Sequence, residues 1–298
     1  MTEACSTRVE DAIDAAAARL AGAGVHFGHG ADDAYGDAIM LLAGASGLAL
    51  DALMGDAGRA LDAATLERLD ALVDVRIRTR RPAAYLIGRA WFAGLEFEVD
   101  ESVLVPRSPL AEFLADGGSP WLDPEAVTRV LDLGTGSGCI AVAAALAFPN
   151  ARVDAADVCP RALALAARNI ARHVPDGRAR AVRSDHFDGL AGERYDLIVS
   201  NPPYVPEARV DALPPEYRHE PRLGLAAGAD GLDSVRAILH DAAAHLRPGG
   251  VLVVEVGESD EAVAEAFPKL PFTWLEFEHG GEGVFLLTRE ALAPAHGC

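Results

Sequence analysis

The most informative residues in the sequence are Asn201-Pro202-Pro203-Tyr204, which directly follow the apolar segment Tyr195–Ser200. Two consecutive prolines fix φ and remove two N–H donors, so the segment is stiff and its carbonyl oxygens are free to accept. Asn201 can offer a side-chain oxygen and Pro202 a backbone oxygen. Two acceptors directed at one point suit a substrate that carries an NH2 group, and Tyr204 can shield a planar group from water.

A segment of this kind would act by orientation and electrostatics. An amide nitrogen is a poor nucleophile because its lone pair is delocalised. Acceptors that hold both of its hydrogens orient and polarise it toward an electrophile, and the proton can leave after the new bond to nitrogen has formed. A proline-rich turn without chemistry is the alternative interpretation, but the glycine motif that lies upstream in the expected order favours the functional one.

That glycine motif is Gly134-Thr135-Gly136-Ser137-Gly138, between the apolar residues Val130–Leu133 and an alanine-rich stretch. Glycines let the backbone turn sharply and let a ligand approach closely, and the N–H groups at the start of a following helix hold polar or anionic groups. The spacing is G-x-G-x-G, and Cys139 stands where the dinucleotide fingerprint has its last glycine. The pattern therefore indicates a nucleotide-binding turn whose spacing departs from the dinucleotide fingerprint, and a purely structural turn is the alternative interpretation.

Two aspartates follow the next two predicted strands. Asp157 lies about 20 residues beyond the glycine motif, where a carboxylate can accept hydrogen bonds from both ribose hydroxyls. We assign Asp185, after the third strand, to the adenine end of the same ligand. Either side chain could instead cap a helix or a turn.

All of these residues lie at the ends of predicted strands. Short apolar strands alternate with helical stretches from Val130 onward, which predicts a parallel sheet with helices on both faces and a ligand site at its carboxyl edge. Phe272–Phe277 and Gly283–Leu287 flank a glycine-rich turn, which predicts an antiparallel hairpin that completes the sheet. The predicted parallel strands are Val130–Leu133, Arg152–Ala156, Ala179–Arg183, Tyr195–Ser200 and Val251–Val256.

Two further segments precede the sheet. Apolar residues at helical spacing, such as Leu66, Leu69 and Val73, predict an N-terminal helical domain over residues 1–84, with its last helix ending at Pro82. Residues 85–109 are predicted to form a linker with a β-hairpin over Trp91–Val105, where apolar and polar residues partly alternate. Residues 110–298 then form the domain that carries the motifs.

The net charge of the 298 residues is −19, and Lys269 is the only lysine. This acidic balance opposes docking on nucleic-acid phosphates and suits a basic protein partner, because opposite charges speed encounter. Solubility alone would also account for the charge.

The four cysteines, Cys5, Cys139, Cys159 and Cys298, form no C-x-x-C pair. No zinc, other metal or dithiol site is therefore predicted. The N-terminus has no signal-peptide pattern, and the longest apolar run, around Cys139 to Phe148, is too short for a bilayer. We expect a cytoplasmic protein with reduced thiols and no membrane association.

Together the glycine and Asn-Pro-Pro-Tyr motifs resemble the HemK/PrmC-like protein-glutamine methyltransferases, a class I methyltransferase family. The chain is similar to the branch that modifies the third protein of the large ribosomal subunit rather than the release-factor branch, because Ser108-Pro109 replace the release-factor pattern after Arg107. Other similar segments are Ala90–Phe92, Glu216–Pro221, Leu223–Gly228 and Pro271–Phe277, and the resemblance extends from about His26 to Leu292.

The resemblance implies an α/β fold with a class I, Rossmann-like S-adenosylmethionine methyltransferase sheet, the C-terminal hairpin, the hairpin linker and the helical domain, which helps to recognise the partner. The implied reaction methylates the side-chain amide nitrogen of a glutamine in a basic ribosomal protein, either free or on an assembling large subunit. Asn201, Pro202 and Tyr204 would be catalytic. Cofactor contacts are expected from Asp132, Gly134, Thr135, Gly136, Gly138, Asp157, Asp185 and Asn201, and substrate contacts from Asn201, Pro202, Pro203, Tyr204, Arg107 and Glu220.

Some alternatives stay open. Arg107 and Glu220 could order the substrate loop or form only a surface ion pair. Release-factor methylation would use the same chemistry on another partner. Adenine N-methylation would need a flipped base and phosphate contacts, which the acidic charge opposes. A dinucleotide oxidoreductase conflicts with the glycine spacing, and a non-enzymatic ribosome assembly factor leaves both motifs unexplained.

Overall fold

The computed structural model describes residues 7–278 and 280–292. The chain forms two compact units. The helical unit comprises the described residues up to Ala90, together with Val99–Glu101 and Leu213–His219. The sheet unit comprises Trp91–Glu98, Ser102–Ala212 and the described residues from Glu220 onward. Two short segments from later in the chain therefore belong to the unit formed by the N-terminal sequence.

Side chains of Asp33 and Asp62 begin two of the long helices in the helical unit by accepting hydrogen bonds from Gly36 N (2.8 Å) and Thr65 N (2.6 Å). The helix predicted to end at Pro82 ends at Thr79 instead, because Arg80 adopts a left-handed conformation with φ of 62°. The helices are α1 (Val9–Gly22), α2 (Ala34–Ser46), α3 (Leu50–Met54), α4 (Ala63–Thr79) and α5 (Ala83–Ile87).

A buried charged cluster lies inside the helical unit. Arg76, on α4, is fully buried and donates to Asp37 Oδ2 and to the His26 carbonyl, each at 2.8 Å. Glu216 lies 3.6 Å from Arg76 and accepts a hydrogen bond from His26 N at 3.0 Å. Burial raises the pKa of Asp37 although Arg76 opposes the shift. The cluster therefore holds Leu213–His219 among the N-terminal helices.

The linker hairpin consists of β1 (Arg89–Phe92) and β2 (Leu95–Glu98), which form a two-stranded sheet. Ala93 and Gly94 make the turn, both with positive φ. The predicted extension of the hairpin to Val105 is wrong, because Ser102–Val105 is irregular.

The sheet unit contains a seven-stranded sheet in the order β5-β4-β3-β6-β7-β9-β8. Strands β3 to β7 are parallel, and β9 and β8 complete the sheet as an antiparallel pair, which confirms the predicted fold. The strands are β3 (Arg129–Leu133), β4 (Arg152–Asp157), β5 (Ala179–Arg183), β6 (Tyr195–Ser200), β7 (Leu246–Glu255), β8 (Thr273–Trp274) and β9 (Val284–Thr288).

Helices cover both faces of this sheet. Adjacent residues of β3 point to opposite faces, so Val130 joins one apolar cluster and Leu131 the other. Within the described residues, no helix combines the length and apolar character needed to cross a membrane. The helices are α6 (Leu110–Ala115), α7 (Cys139–Ala147), α8 (Pro160–His173), α9 (Glu207–Val210), α10 (Asp233–His245), α11 (Asp260–Ala266) and α12 (Arg289–Leu292).

Candidate active site

Strand register aligns the predicted motifs along the carboxyl edge of the sheet. Leu133, the last residue of β3, pairs with Ala156 of β4 and with Ser200 of β6. Ser200 also donates through its Oγ to the Leu133 carbonyl at 2.6 Å. The glycine motif and the Asn-Pro-Pro-Tyr segment therefore leave adjacent strands side by side, where the strand order changes direction and open α/β sheets bind ligands.

The turn after β3 is held by the neighbouring strand. Gly134 N and Thr135 N both donate to the Ala156 carbonyl at 2.9 Å. Gly138 has a φ of 82°, and a Cβ there would lie 3.2 Å from the Cβ of Ala166 on α8. A Cβ at Gly134 would meet open space. The glycines thus serve two needs: positive φ at Gly134, Gly136 and Gly138, and close packing of α8 at Gly138.

Asp132 lies beneath this turn and is fully buried. Its Oδ2 accepts hydrogen bonds from Thr135 Oγ1 at 2.5 Å and from Ala141 N at 2.9 Å. Its Oδ1 has no hydrogen-bond partner among the described residues. Burial raises the pKa of Asp132 to about 7 despite the two donors. An unsatisfied carboxylate oxygen beside an open glycine turn fits a ligand that brings hydrogen-bond donors or positive charge.

Asp157 closes the turn from the end of β4. Its Oδ2 accepts from Gly136 N at 2.9 Å, and its Oδ1 accepts from Cys159 N at 2.8 Å, just before α8 begins. Burial raises its pKa, although these backbone donors act in the opposite direction. Asp157 therefore holds the glycine turn and the loop before α8, but no side-chain hydrogen bond caps α8 itself.

Asp185 stands further along the same edge, after β5. Its exposed carboxylate contacts His186 Nδ1 at 2.9 Å. His186 has a φ of 43°, and its carbonyl accepts a 2.5 Å hydrogen bond from Ser184 Oγ. Ser184 N in turn donates to the Asp157 carbonyl at 3.0 Å, which joins this loop to the end of β4.

The Asn-Pro-Pro-Tyr segment surrounds a carboxylate that the sequence did not predict. The side chains of Asn201 and Tyr204 face Glu255, the last residue of β7, as donors that favour its carboxylate form. Ser108 Oγ donates to Glu255 Oε2 at 2.5 Å. Burial raises the pKa of Glu255 to about 7, while these donors and the positive charge of Arg107 lower it. The one signal in the sequence that could have identified Glu255 is that an acidic residue stands at the end of the strand that pairs with β6.

Neighbouring backbone fixes the rest of this segment. A Cβ at Gly257 would lie 2.8 Å from Tyr204 Cε2, so the Tyr204 ring packs directly on the backbone after β7. Val205 N donates to the Leu225 carbonyl, and the Val205 carbonyl accepts from Ala227 N at 3.0 Å. The segment that contains Leu225 and Ala227 is thus a brace for the loop after β6.

Arg107 and Glu220 form a bidentate pair with N–O distances of 2.6 and 2.7 Å. Glu220 also accepts from Val105 N at 3.1 Å, and its side chain is completely buried while that of Arg107 is partly exposed. The pair therefore differs from the surface ion pair considered from sequence. It holds the segment before Ser108 against the strand-edge loops.

Comparisons with known families agree with this arrangement. Residues 119–213 match the methyltransferase small domain, and residues 11–88 match the PrmC N-terminal domain. The hMettl16 catalytic domain, solved in complex with MAT2A 3'UTR hairpin 6, has a TM-score of 0.50 and 18% identity over 78% of this chain and 84% of that chain. That likeness concerns the fold alone. S-adenosylmethionine is the cofactor of the chain, and the open glycine turn above Asp132 fits it.

Closer relatives carry one shared name. A Bordetella pertussis protein called ribosomal protein uL3 glutamine methyltransferase is 47% identical over 95% of this chain and 96% of its own length. A Francisella tularensis protein of the same name is 45% identical over 90% of this chain and 86% of its own length. Such identity over nearly the full length, with both domain families matched in order, shows that the chain belongs to the ribosomal protein uL3 glutamine methyltransferase family.

Proposed function

We propose that this protein methylates the side-chain amide nitrogen of a glutamine in ribosomal protein uL3. The names of relatives that are 45% and 47% identical support the substrate. The observation that carries the chemistry is the register of β3 and β6, because it brings Asn201 next to the glycine turn. The acceptor loop and the cofactor turn thereby share one edge of the sheet.

Bound S-adenosylmethionine supplies an electrophilic methyl group. The chain's own part is to hold the glutamine amide: the side-chain oxygen of Asn201 and the carbonyl of Pro202 accept its two hydrogens. Tyr204, packed on Gly257, covers the planar amide and keeps water away. The nitrogen would need no strong base beforehand, since it can lose its proton after the N–C bond has formed and the bond between the methyl group and the cofactor's sulfur has broken.

Contacts with the cofactor are proposed for Asp132, the Gly134–Gly138 turn, Asp157 and Asp185. We assign the ribose hydroxyls to Asp157, because its carboxylate stands at the end of β4 next to the turn. Asp185, after β5, is assigned to the adenine end. The Arg107–Glu220 pair is proposed to order the substrate side of the site by fixing the segment that leads to Ser108.

The partner is proposed to be basic, since the chain carries a net charge of −19. The helical unit is proposed to recognise it, and the substrate is either free uL3 or uL3 on an assembling large subunit. A ribosomal substrate also supports the expected cytoplasmic location. The domain limits of 1–84, 85–109 and 110–298 remain the proposed division of the sequence.

A labelled-methyl assay tests the substrate. The protein is incubated with methyl-labelled S-adenosylmethionine and, in separate reactions, with uL3, a peptide chain release factor and DNA. We expect label on uL3, at a glutamine side chain identified by mass spectrometry. Label on the release factor alone would assign the chain to the other partner, and label on DNA alone would overturn the substrate class.

A further inference from the structure

We infer that Glu255 is a positioning residue that fixes the side-chain amide of Asn201 with its nitrogen inward and its oxygen toward the substrate. This inference rests on the proposed function, which requires Asn201 to be an acceptor. It adds a residue from a different strand to the proposed chemistry, and that residue touches neither the substrate nor the cofactor.

Glu255 stands where three segments of the chain meet. Ser200 pairs with Val254, so the residues that follow, Asn201 and Glu255, leave adjacent strands at the same level. Only 6% of Glu255 is exposed. Its carboxylate receives a hydrogen bond from Ser108 before α6, and the donor groups of Asn201 and Tyr204 after β6 stabilise its charged form. Such convergence of donors on one buried acceptor fixes each donor in turn.

The orientation of Asn201 follows from what a carboxylate can do. An ionised carboxylate only accepts hydrogen bonds, whereas an amide has a donor end and an acceptor end. Asn201 must therefore present its NH2 to Glu255, which turns its Oδ1 away from Glu255. A protonated carboxyl group could donate, and would then tolerate the reversed amide.

Other groups around Glu255 bear on its ionisation. The charged or titratable side chains that interact with it are Arg107, from the segment after β2, and Tyr204, from the loop after β6. Its partner on β9 is the apolar Val284. Arg107 favours the carboxylate form and burial opposes it, which leaves the pKa of Glu255 at about 7. The NMR signals of the Asn201 side-chain NH2 group should therefore shift with pH near neutrality.

The composition of the chain makes this response measurable by NMR. The sequence has three asparagines, Asn150, Asn169 and Asn201, and no glutamine. A 15N–1H spectrum therefore contains three pairs of side-chain NH2 signals, and Asn201→Ala identifies one of them. Asn169 donates to the carbonyls of Glu98 and Ser137, so its signals serve as an internal reference.

We expect the Asn201 pair to shift with a midpoint near pH 7 in the wild type while the Asn169 pair stays fixed. The shift should persist in Glu258→Gln, an exposed glutamate three positions further along, and vanish in Glu255→Gln. An Asn201 pair that does not titrate, or that titrates unchanged in Glu255→Gln, overturns the inference. Glu255→Leu repeats the test if the first variant does not fold.

Kinetics then test whether the positioning matters for transfer. Glu255→Gln should lower kcat on uL3 by at least about tenfold, while the Kd for S-adenosylhomocysteine and the KM for uL3 change by less than about twofold. In an Asn201→Ala background the same substitution should change kcat by less than about threefold, because Glu255 acts through Asn201. Equal effects in both backgrounds would mean that Glu255 acts independently of Asn201 and would refute the inference.

The two readouts separate the inference from the proposed function. The NMR titration needs no substrate, so the Glu255–Asn201 relation can hold even if uL3 is not methylated. In that case only the proposed substrate is wrong, and the kinetic comparison moves to whichever substrate accepts label. Conversely, if uL3 is methylated but the Asn201 signals do not depend on Glu255, the proposed function holds and the inference about Glu255 is wrong.

Discussion

Ser108 Oγ donates a 2.5 Å hydrogen bond to Glu255 Oε2, joining residues 147 positions apart in the chain. Ser108 Oγ also accepts from Leu110 N at 3.1 Å, so it is itself fixed at the start of α6. Because Arg107 next to it is paired with Glu220, the segment after the hairpin is built into the strand-edge site. The residues between hairpin and sheet thus contribute structure to the site besides connecting two parts of the sequence.

Ser108→Ala should therefore weaken the site without touching the cofactor turn. The change removes a donor from a buried carboxylate, which costs about 1–3 kcal/mol of unfolding free energy and raises the pKa of Glu255 further. Urea unfolding measures the first effect, and the NMR midpoint of Asn201 measures the second. Ser46→Ala, in the helical unit, is the control; an equal midpoint in wild type and Ser108→Ala would contradict the expectation.

Asn201→Ala should separate transfer from cofactor binding. Loss of one preorganised acceptor is expected to lower kcat on uL3 by about 10²–10³-fold. The Kd for S-adenosylhomocysteine, measured by calorimetry, should change by less than about threefold, because the turn after β3 is held by other residues. Asn150→Ala, an exposed asparagine that donates to Glu125, is the control. Parallel losses of binding and turnover would remove Asn201 from the proposed catalytic role.

Gly138→Ala should be far more damaging than Gly177→Ala. Both positions have positive φ, 82° and 77°, so both substitutions introduce similar backbone strain of about 1 kcal/mol. Only at Gly138 would the new Cβ press on Ala166, at 3.2 Å, whereas Gly177 faces open space. Gly138→Ala should therefore lower the melting temperature more than Gly177→Ala does, and only Gly138→Ala should weaken S-adenosylhomocysteine binding. Similar melting temperatures for the two variants would show that packing of α8 is not the cause.

Asp132 should make stability depend on pH in the acidic range. Its pKa is raised from 3.8 to about 7, so the protonated form is favoured in the folded protein. The contribution of Asp132 to the free energy of unfolding is fully present below pH 3.8 and is lost as the pH rises through about 7.

Asp132→Asn removes this titration. The unfolding free energy of the wild type relative to Asp132→Asn should therefore fall between pH 4 and pH 7, by at most about 1.4 kcal/mol per pH unit. Glu255 titrates in the same pH range and is present in both proteins. Its effect on the free energy of unfolding therefore cancels when the two proteins are compared. A difference that is constant with pH, measured by urea unfolding, would exclude the effect.

The parallel sheet and the two main motifs were predictable because their signals are local. Apolar strands, glycines with positive φ and consecutive prolines constrain the backbone wherever they occur. Strand β5 and strand β6 were predicted with their observed limits. The end of α4 was not, because it depends on Arg80 adopting a conformation that arginine seldom favours.

Glu255 was missed for a different reason. No periodicity distinguishes it from other glutamates, and its partners Ser108, Asn201 and Tyr204 come from distant segments. Only the register of β6 against β7 brings it next to Asn201. Likewise, nothing local places Glu216 beside Arg76, 140 positions earlier. Contacts of this kind follow from topology, which a single sequence does not give in detail.

The Arg76–Glu216 pair also bears on how the family can diversify. Recombination that exchanged only the first 84 residues between two relatives would import Arg76 together with its partner Asp37 and leave behind Glu216, the second carboxylate of the buried cluster. If the other relative lacked a carboxylate at this position, the buried cluster would lose one of its charges, and removing one member of a buried charged network lowers stability. Changes in the N-terminal helices are therefore coupled to the seven residues Leu213–His219, which belong to the same compact unit although the gene separates them.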